Sequence, residues 1–186
     1  ANPNVKKNVI SYINYPIRIY YIGRLDKDSE GLLLLTNQGE LVNKMMRSGN
    51  QHEKEYVVTV NKPVTKEFIK KMQDGVPILG TKTRKCRVIQ TGEKSFRIIL
   101  TQGLNRQIRR MCQYLGYEVK RLKRIRVMNI ELGDLPVGSY REVTAQEMKT
   151  LQEIIKDSSE TTVIKKERGK KCEPDRKNEG TRRIVK

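Results

Sequence analysis

The chain has 186 residues and carries 39 Lys and Arg against 21 Asp and Glu, a formal net charge of +18 at pH 7. This excess of positive charge predicts a polyanionic partner such as a nucleic acid. No stretch approaches the roughly 18 apolar residues that a membrane span requires, so we expect a soluble, cytoplasmic protein that does not bind membranes.

Cysteine and histidine usage excludes several classes of site. Cys86, Cys112 and Cys172 are odd in number and far apart, and His52 is the only histidine. A disulfide framework, a zinc site and a histidine-based catalytic triad are therefore unexpected. We predict no metal ion.

The pattern of apolar residues predicts one α+β domain over residues 1–156. Residues 157–186 form a basic tail with few apolar side chains, for which we expect disorder. The tail contains ten basic and six acidic residues, so most of the positive charge belongs to the domain. In chain order, the predicted elements are a helical pattern over 9–13, an edge-strand pattern over 17–21, a strand over 32–35, a helix over 40–46, a strand over 55–60, a helix over 65–73, strands over 83–90 and 95–101, a helix over 105–115, a strand over 119–132 and a helix over 144–155.

Three carboxylates crowd the loop before the leucine run, namely Asp26, Asp28 and Glu30. A buried strand beside them supplies a low-dielectric wall against which an acid can be tuned for chemistry. A calcium loop is disfavoured, because its twelfth position requires a bidentate Glu and is here Asn37. A solvated turn, with nearby basic residues as surface partners, remains the plain alternative.

Two basic segments follow. The helix predicted over 105–115 has one apolar face, with Asn105 as its expected N-cap. Arg106, Arg109 and Arg110 lie in its first two turns, where positive charge opposes the helix dipole, so structural stability does not explain them. The strand over 119–132 alternates apolar residues with cations. These cations are Lys120, Arg121, Lys123, Arg124 and Arg126.

Three separated motifs resemble the RsuA-type family of bacterial ribosomal RNA pseudouridine synthases. They are Gly-Arg-Leu-Asp-Lys-Asp-Ser-Glu-Gly-Leu at 23–32, Lys-Glu-Tyr at 54–56 and Gly-Leu-Asn-Arg-Gln-Ile-Arg-Arg-Met at 103–111. Their order and spacing also fit, and the resemblance extends over residues 10–151. It implies the pseudouridine synthase catalytic fold, a mixed and mostly antiparallel sheet flanked by helices. Family members usually begin with an S4-type RNA-binding domain, so we expect this chain to be a catalytic domain truncated at its front.

The resemblance also implies an activity. The chain would be an isomerase that converts a specific uridine to pseudouridine in 23S ribosomal RNA, as a monomer and without a cofactor. Transfer RNA is left open as a further substrate. The rival hypothesis is a ribosome-associated RNA-binding protein without catalytic activity.

The resemblance also implies roles for the residues at the matching motif positions. Asp26 would be the essential carboxylate acting at the ribose C1′, either as nucleophile or by promoting glycosidic cleavage. Arg109 would pair with it, and Tyr56 would stack on the target base. Leu100 would pack under the uracil, although a plain core leucine is an equal alternative.

The remaining positions would contact RNA. Arg24 would fill the gap left when the uridine leaves its stack. The other cations would bind phosphates and so set affinity and its salt dependence. They are Arg106, Arg110, Lys120, Arg121, Lys123, Arg124 and Arg126.

Overall fold

The pattern of apolar residues builds an α+β fold in the computed structural model, which describes residues 8–46, 51–156 and 158. The elements in chain order are α1 (Val9–Ile13), β1 (Tyr20–Ile22), β2 (Glu30–Gly31), β3 (Leu34–Thr36), α2 (Gly39–Met46), β4 (Lys54–Val60), α3 (Lys66–Asp74), β5 (Pro77–Ile78), β6 (Thr81–Lys82), β7 (Arg87–Gly92), β8 (Ser95–Leu100), α4 (Gln107–Tyr114), β9 (Val119–Val127), β10 (Ile130–Glu131) and α5 (Ala145–Ile155). The tail over 157–186 lies outside the described residues, apart from Ser158.

A six-stranded sheet organises the molecule. Its strand order is β10-β9-β4-β8-β7, all antiparallel, and the short strand β2 lies parallel to β9. Two small antiparallel sheets, β1 with β3 and β5 with β6, complete the fold. The predicted mixed, mostly antiparallel sheet with flanking helices is therefore confirmed.

Two apolar cores hold these layers together. The first lies between one face of the main sheet and helices α3 and α4, and includes Phe96, Ile98 and Met72, which are fully buried. The second joins β1, β3, α2, β10 and α5 through residues such as Met45 and Ile130. Within the described ranges, no helix is both long enough and apolar enough to span a bilayer.

Several predicted boundaries differ from the structure. The strand expected over 32–35 begins only at Leu34, because β2 ends at Gly31. The strand expected over 119–132 is a hairpin of β9 and β10, which turns at Met128 with a φ of 54°.

The start of α4 was also predicted wrongly. Arg106, with a left-handed backbone (φ 49°), is its N-cap and makes no side-chain cap bond. Asn105 instead accepts two hydrogen bonds from the guanidinium of Arg110, at its carbonyl and at its side-chain oxygen.

Candidate active site

The acidic loop lies between β1 and β2 and is fixed at both ends by glycine. Gly23 has a φ of 80°, and Gly31 has a φ of 111°. A Cβ on Gly31 would lie 2.2 Å from the carbonyl oxygen of Arg124, so only glycine lets β2 approach β9 this closely. Between them, the amide of Ser29 donates to the carbonyl of Asp26 over 3.0 Å and closes a turn.

Asp28 is bound by two arginines at the N-terminal end of α4. Arg106 donates two parallel hydrogen bonds to its carboxylate, each 2.9 Å long. Arg109 lies 3.4 Å from the same carboxylate through Nε and also donates to the Asp28 carbonyl. The hydrogen bonds from Arg106 lower the pKa of Asp28 from 3.8 to about 2. This network ties the loop to the start of α4.

Asp26 has a different environment. Its nearest cation is Arg106, whose Nη1 lies 3.9 Å from Oδ2, and its side chain is 32% exposed. The ion pair predicted between Asp26 and Arg109 is not formed, because Arg109 is held by Asp28 and by the carbonyl of Val119, 3.1 Å from its Nη1. Asp26 is thus the less neutralised of the two aspartates.

Arg124 lies behind the loop and is only 2% exposed. Its Nε donates to the carbonyl of Leu32 over 2.7 Å, and its Nη1 lies 3.4 Å from the carbonyl of Arg24. Its Nη2 is buried without a hydrogen-bond partner among the described residues. The prediction that Arg124 binds phosphate is wrong, because its guanidinium is buried and holds the loop backbone on both sides of Asp26.

Tyr56 and Leu100 lie on the core face of the sheet. Tyr56 is half-buried against the first core and is opposite Arg124 in the β4–β9 register. Leu100 is 4% exposed within the same core and is opposite Lys54. Arg124 therefore stands between Tyr56 and the loop that carries Asp26.

Sequence reasoning assigned no role to Lys54, although it belongs to the Lys-Glu-Tyr motif. Burial, followed by the nearby charge of Arg124, lowers the pKa of the Lys54 amine. Its Nζ donates to the carbonyl of His52 over 3.3 Å. The sequence did contain a signal for this position. Lys54 lies two residues before Tyr56 in a strand, so the two side chains are expected on the same face of the sheet.

The cations predicted to bind RNA divide into separate groups. Arg24 is exposed at the loop, whereas Arg106 is committed to Asp28 and Arg110 to Asn105. Three others form ion pairs, Lys120 with Glu118, Arg121 with Glu30, and Arg126 with Glu53 and Glu55. Arg121 and Lys123 lie on the sheet face opposite to Tyr56, since they alternate with Leu122 and Arg124 along β9. Arg126 lies on that face too, because a register shift between Glu55 and Tyr56 pairs it with Glu55. The structure therefore directs them away from Tyr56, although Arg121 contacts the acidic loop at Glu30.

Known proteins are similar to this chain in sequence and in fold. A family model described as RNA pseudouridylate synthase matches residues 3–114. The chain is 55% identical over 154 residues to the dual-specificity RNA pseudouridine synthase RluF of Escherichia coli (strain K12), covering 83% of this chain and 53% of that protein. It is 39% identical over 145 residues to the ribosomal large subunit pseudouridine synthase B of Bacillus subtilis (strain 168), covering 75% of this chain and 59% of that protein.

A solved structure agrees with the sequence comparisons. A crystal structure of a pseudouridylate synthase superposes with a TM-score of 0.72 at 27% identity, covering 76% of this chain and 64% of the other. The chain spans about half the length of the RluF relatives that it matches. With the matching family model and these identities, the chain belongs to the RNA pseudouridylate synthase family.

Proposed function

We propose that this chain converts uridine to pseudouridine in large-subunit (23S) ribosomal RNA, with Asp26 as the essential carboxylate. The observation that carries the proposal is the inequality of the two loop aspartates. Asp28 is neutralised by Arg106 and approached by Arg109, whereas Asp26 has one cation at 3.9 Å and remains partly exposed. Asp26 is thus free to face a substrate.

The chemistry requires such a group. The bond between C1′ and N1 breaks, the uracil turns, and a bond between C1′ and C5 forms while the hydrogen on C5 is lost and N1 gains one. Positive charge develops on the ribose as the glycosidic bond breaks, and an ionised carboxylate beside C1′ stabilises it. Asp26 would act there as nucleophile or as an electrostatic and basic group.

The neighbouring residues have supporting roles in this proposal. Arg124 fixes the backbone on both sides of Asp26, and Asp28 with Arg106 fixes the loop against α4. Tyr56 offers a ring on the other side of Arg124, which would stack on the extruded uracil. These contacts would hold the carboxylate in place, which favours reaction by pre-organising the site.

Loss of tritium from C5 tests the activity. A large-subunit ribosomal RNA fragment labelled at C5 of uridine should release tritium with the wild-type chain and release none with Asp26→Asn. Glu30→Gln, in the same loop and bonded to Arg121, is the matched control and should retain release. Equal release by wild type and Asp26→Asn, or no release by either, would contradict the proposal and favour a non-catalytic RNA-binding protein.

The choice of RNA is a separate part of the proposal. The Escherichia coli relative is named dual-specificity, so we propose transfer RNA as a second substrate class of this chain. Mapping pseudouridine in ribosomal and transfer RNA from cells with wild-type protein and with Asp26→Asn distinguishes one class from two. Sites in ribosomal RNA alone would contradict the second class.

A further inference from the structure

The main sheet has a second face, opposite to the first core, that we call the outer face. Its residues follow from the strand register, because directly opposed residues of antiparallel strands point to the same side. The first cross-strand row is Arg87, Ile99, Glu55 and Arg126, the second is Ile89, Arg97, Val57 and Lys123, and the third is Ser95, Thr59 and Arg121. Five of these eleven residues are cations, and one is acidic.

The outer face keeps positive charge after its ion pairs are considered. Glu55 lies 2.9 Å from Arg126 and 3.5 Å from Arg97, and Glu30 pairs with Arg121. Arg121 and Arg97 nevertheless remain 67% and 45% exposed at their side chains. A guanidinium in one such pair still has donors available, because it carries five N–H groups.

A cleft opens at the end of this face, beside the first row. It has a volume of about 470 Å³ and is lined by residues that include Glu53, Lys85, Arg87, Ile99, Thr101 and Arg126. Arg126 is held there by Glu53 and Glu55. The side chains of Lys85 and Arg87 are exposed and have no hydrogen-bond or ion-pair partner in the described part of the chain. The cleft thus presents two unneutralised cations.

We propose that the outer face is a second RNA-binding surface, which takes the phosphate backbone of RNA flanking the target uridine. Rows two residues apart are separated by about 7 Å along a strand, so the cations can meet several phosphates. The apolar residues Val57, Ile89 and Ile99 are only half-buried and are separated by cations, which argues against an apolar protein partner. This inference deepens the proposed function, because it gives the same RNA a contact remote from Asp26.

Binding of a fluorescein-labelled large-subunit ribosomal RNA fragment tests the proposal. The variant Lys85→Gln/Arg87→Gln removes two cations of the cleft without breaking an ion pair, and it is compared in the full chain carrying Asp26→Asn. We expect its Kd to rise about tenfold at low salt, and the slope of log Kd against log salt to fall by about 1.5 to 2. Lys66→Gln/Lys70→Gln, which removes two exposed charges from α3, is the matched control and should change Kd less than about twofold.

A second measurement locates the RNA independently of the charge changes. A photocrosslinking amino acid at Ile89, in the middle row of the outer face, should crosslink to the RNA fragment. The same group at Leu79, exposed between β5 and β6, should not. Equal effects of the two glutamine pairs, or no crosslink at Ile89, overturn the proposal. Unchanged binding by the Lys85→Gln/Arg87→Gln variant, together with tritium release by the wild-type chain, would reject this surface while leaving the proposed activity intact.

Discussion

Asp26 and Asp28 are two positions apart but have different partners. Asp28 is bound by the guanidinium of Arg106 and approached by Arg109, whereas Asp26 has only a long contact to Arg106. The difference follows from the turn closed by Ser29, which separates the two carboxylates. A carboxylate that already accepts two hydrogen bonds from an arginine has fewer free acceptor positions for a substrate. We therefore expect the two acids to have different roles.

The pKa of Asp28 provides a residue-scale test. In Arg106→Gln we expect it to rise from about 2 toward its ordinary value of 3.8, although Arg109 still favours the charged form. Carboxyl carbon NMR across an acid titration measures this change. Arg110→Gln is the control, because Arg110 bonds only to Asn105 in the described structure. An unshifted Asp28 in Arg106→Gln would show that the bidentate pair is not formed in solution.

The same shift has a consequence for stability. Asp28 has a lower pKa in the folded chain, so its ion pair stabilises the fold above the ordinary pKa and is lost as pH falls toward about 2. Because the side chain is half exposed, the effect is small.

The partners of individual residues were the hardest features to predict. The motifs indicated Asp26, Arg109 and Tyr56 as neighbours, but the distance from the loop to α4 decides which aspartate the arginines reach. The burial of Arg124 had a visible signal, since it shares the parity of Leu122 in a strand. Charge alone suggested solvent exposure, and the carbonyls that accept hydrogen bonds from its guanidinium come from residues about a hundred positions earlier.

At the scale of elements, β2 shows how a very short strand can fix a site. It contributes only Glu30 and Gly31, yet it joins the acidic loop to the middle of β9. The amide of Leu32 donates to the carbonyl of Arg124, and the Arg124 side chain returns a bond to the carbonyl of Leu32. These two reciprocal hydrogen bonds, one from the backbone and one from a side chain, both hold the end of the loop against β9.

Gly31→Ala tests this contact. The added Cβ would meet the carbonyl of Arg124 at 2.2 Å, and alanine is strained at a φ of 111°. We expect a loss in the free energy of unfolding on the order of 3 kcal/mol, measured by urea denaturation. Gly39→Ala, at the first position of α2 with no atom within 4 Å of the new Cβ, should leave stability unchanged or slightly raised. Equal stability of the two variants would contradict the close approach of β2 and β9.

Elements with strong local signals were predicted well. The Thr65 cap of α3 and the capping box of Thr144 and Glu147 in α5 are formed as expected. The start of α4 was missed because Asn105 bonds to Arg110 instead of capping the helix. The break before β3 was missed because the approach of Gly31 to β9 is a tertiary contact that a run of leucines does not reveal.

At the scale of the whole molecule, positive charge is distributed over more than one surface. The formal net charge is +18, and the structure places cations at the acidic loop, along α4 and on the outer face. Residues 159–186 add ten Lys and Arg against five Asp and Glu, a net of +5. Non-specific attraction to RNA depends on the sum of these charges, whereas target choice depends on the site.

A chain that ends after Ser158 tests whether RNA affinity and target choice depend on different parts of the molecule. The truncation keeps the contact between Ser158 and His52, 3.1 Å apart, and removes the positive tail. We expect weaker binding to ribosomal RNA and a smaller salt slope because fewer counterions are released, with the modified uridine unchanged. Filter binding over a salt series and mapping of pseudouridine measure these outcomes. A different modified position would show that the tail takes part in choosing the uridine.

The alternation along β9 limits how this chain can change in evolution. Arg124 points to the core and supports the loop, while Arg121 and Lys123 point away from it. A substitution changes one side chain on one face of the sheet. An insertion or deletion of a single residue instead moves the side chains of part of the strand to the opposite face. Such a change would expose the supporting arginine and turn cations toward the first core. We therefore expect relatives of this chain to conserve the length of β9 even where its sequence differs.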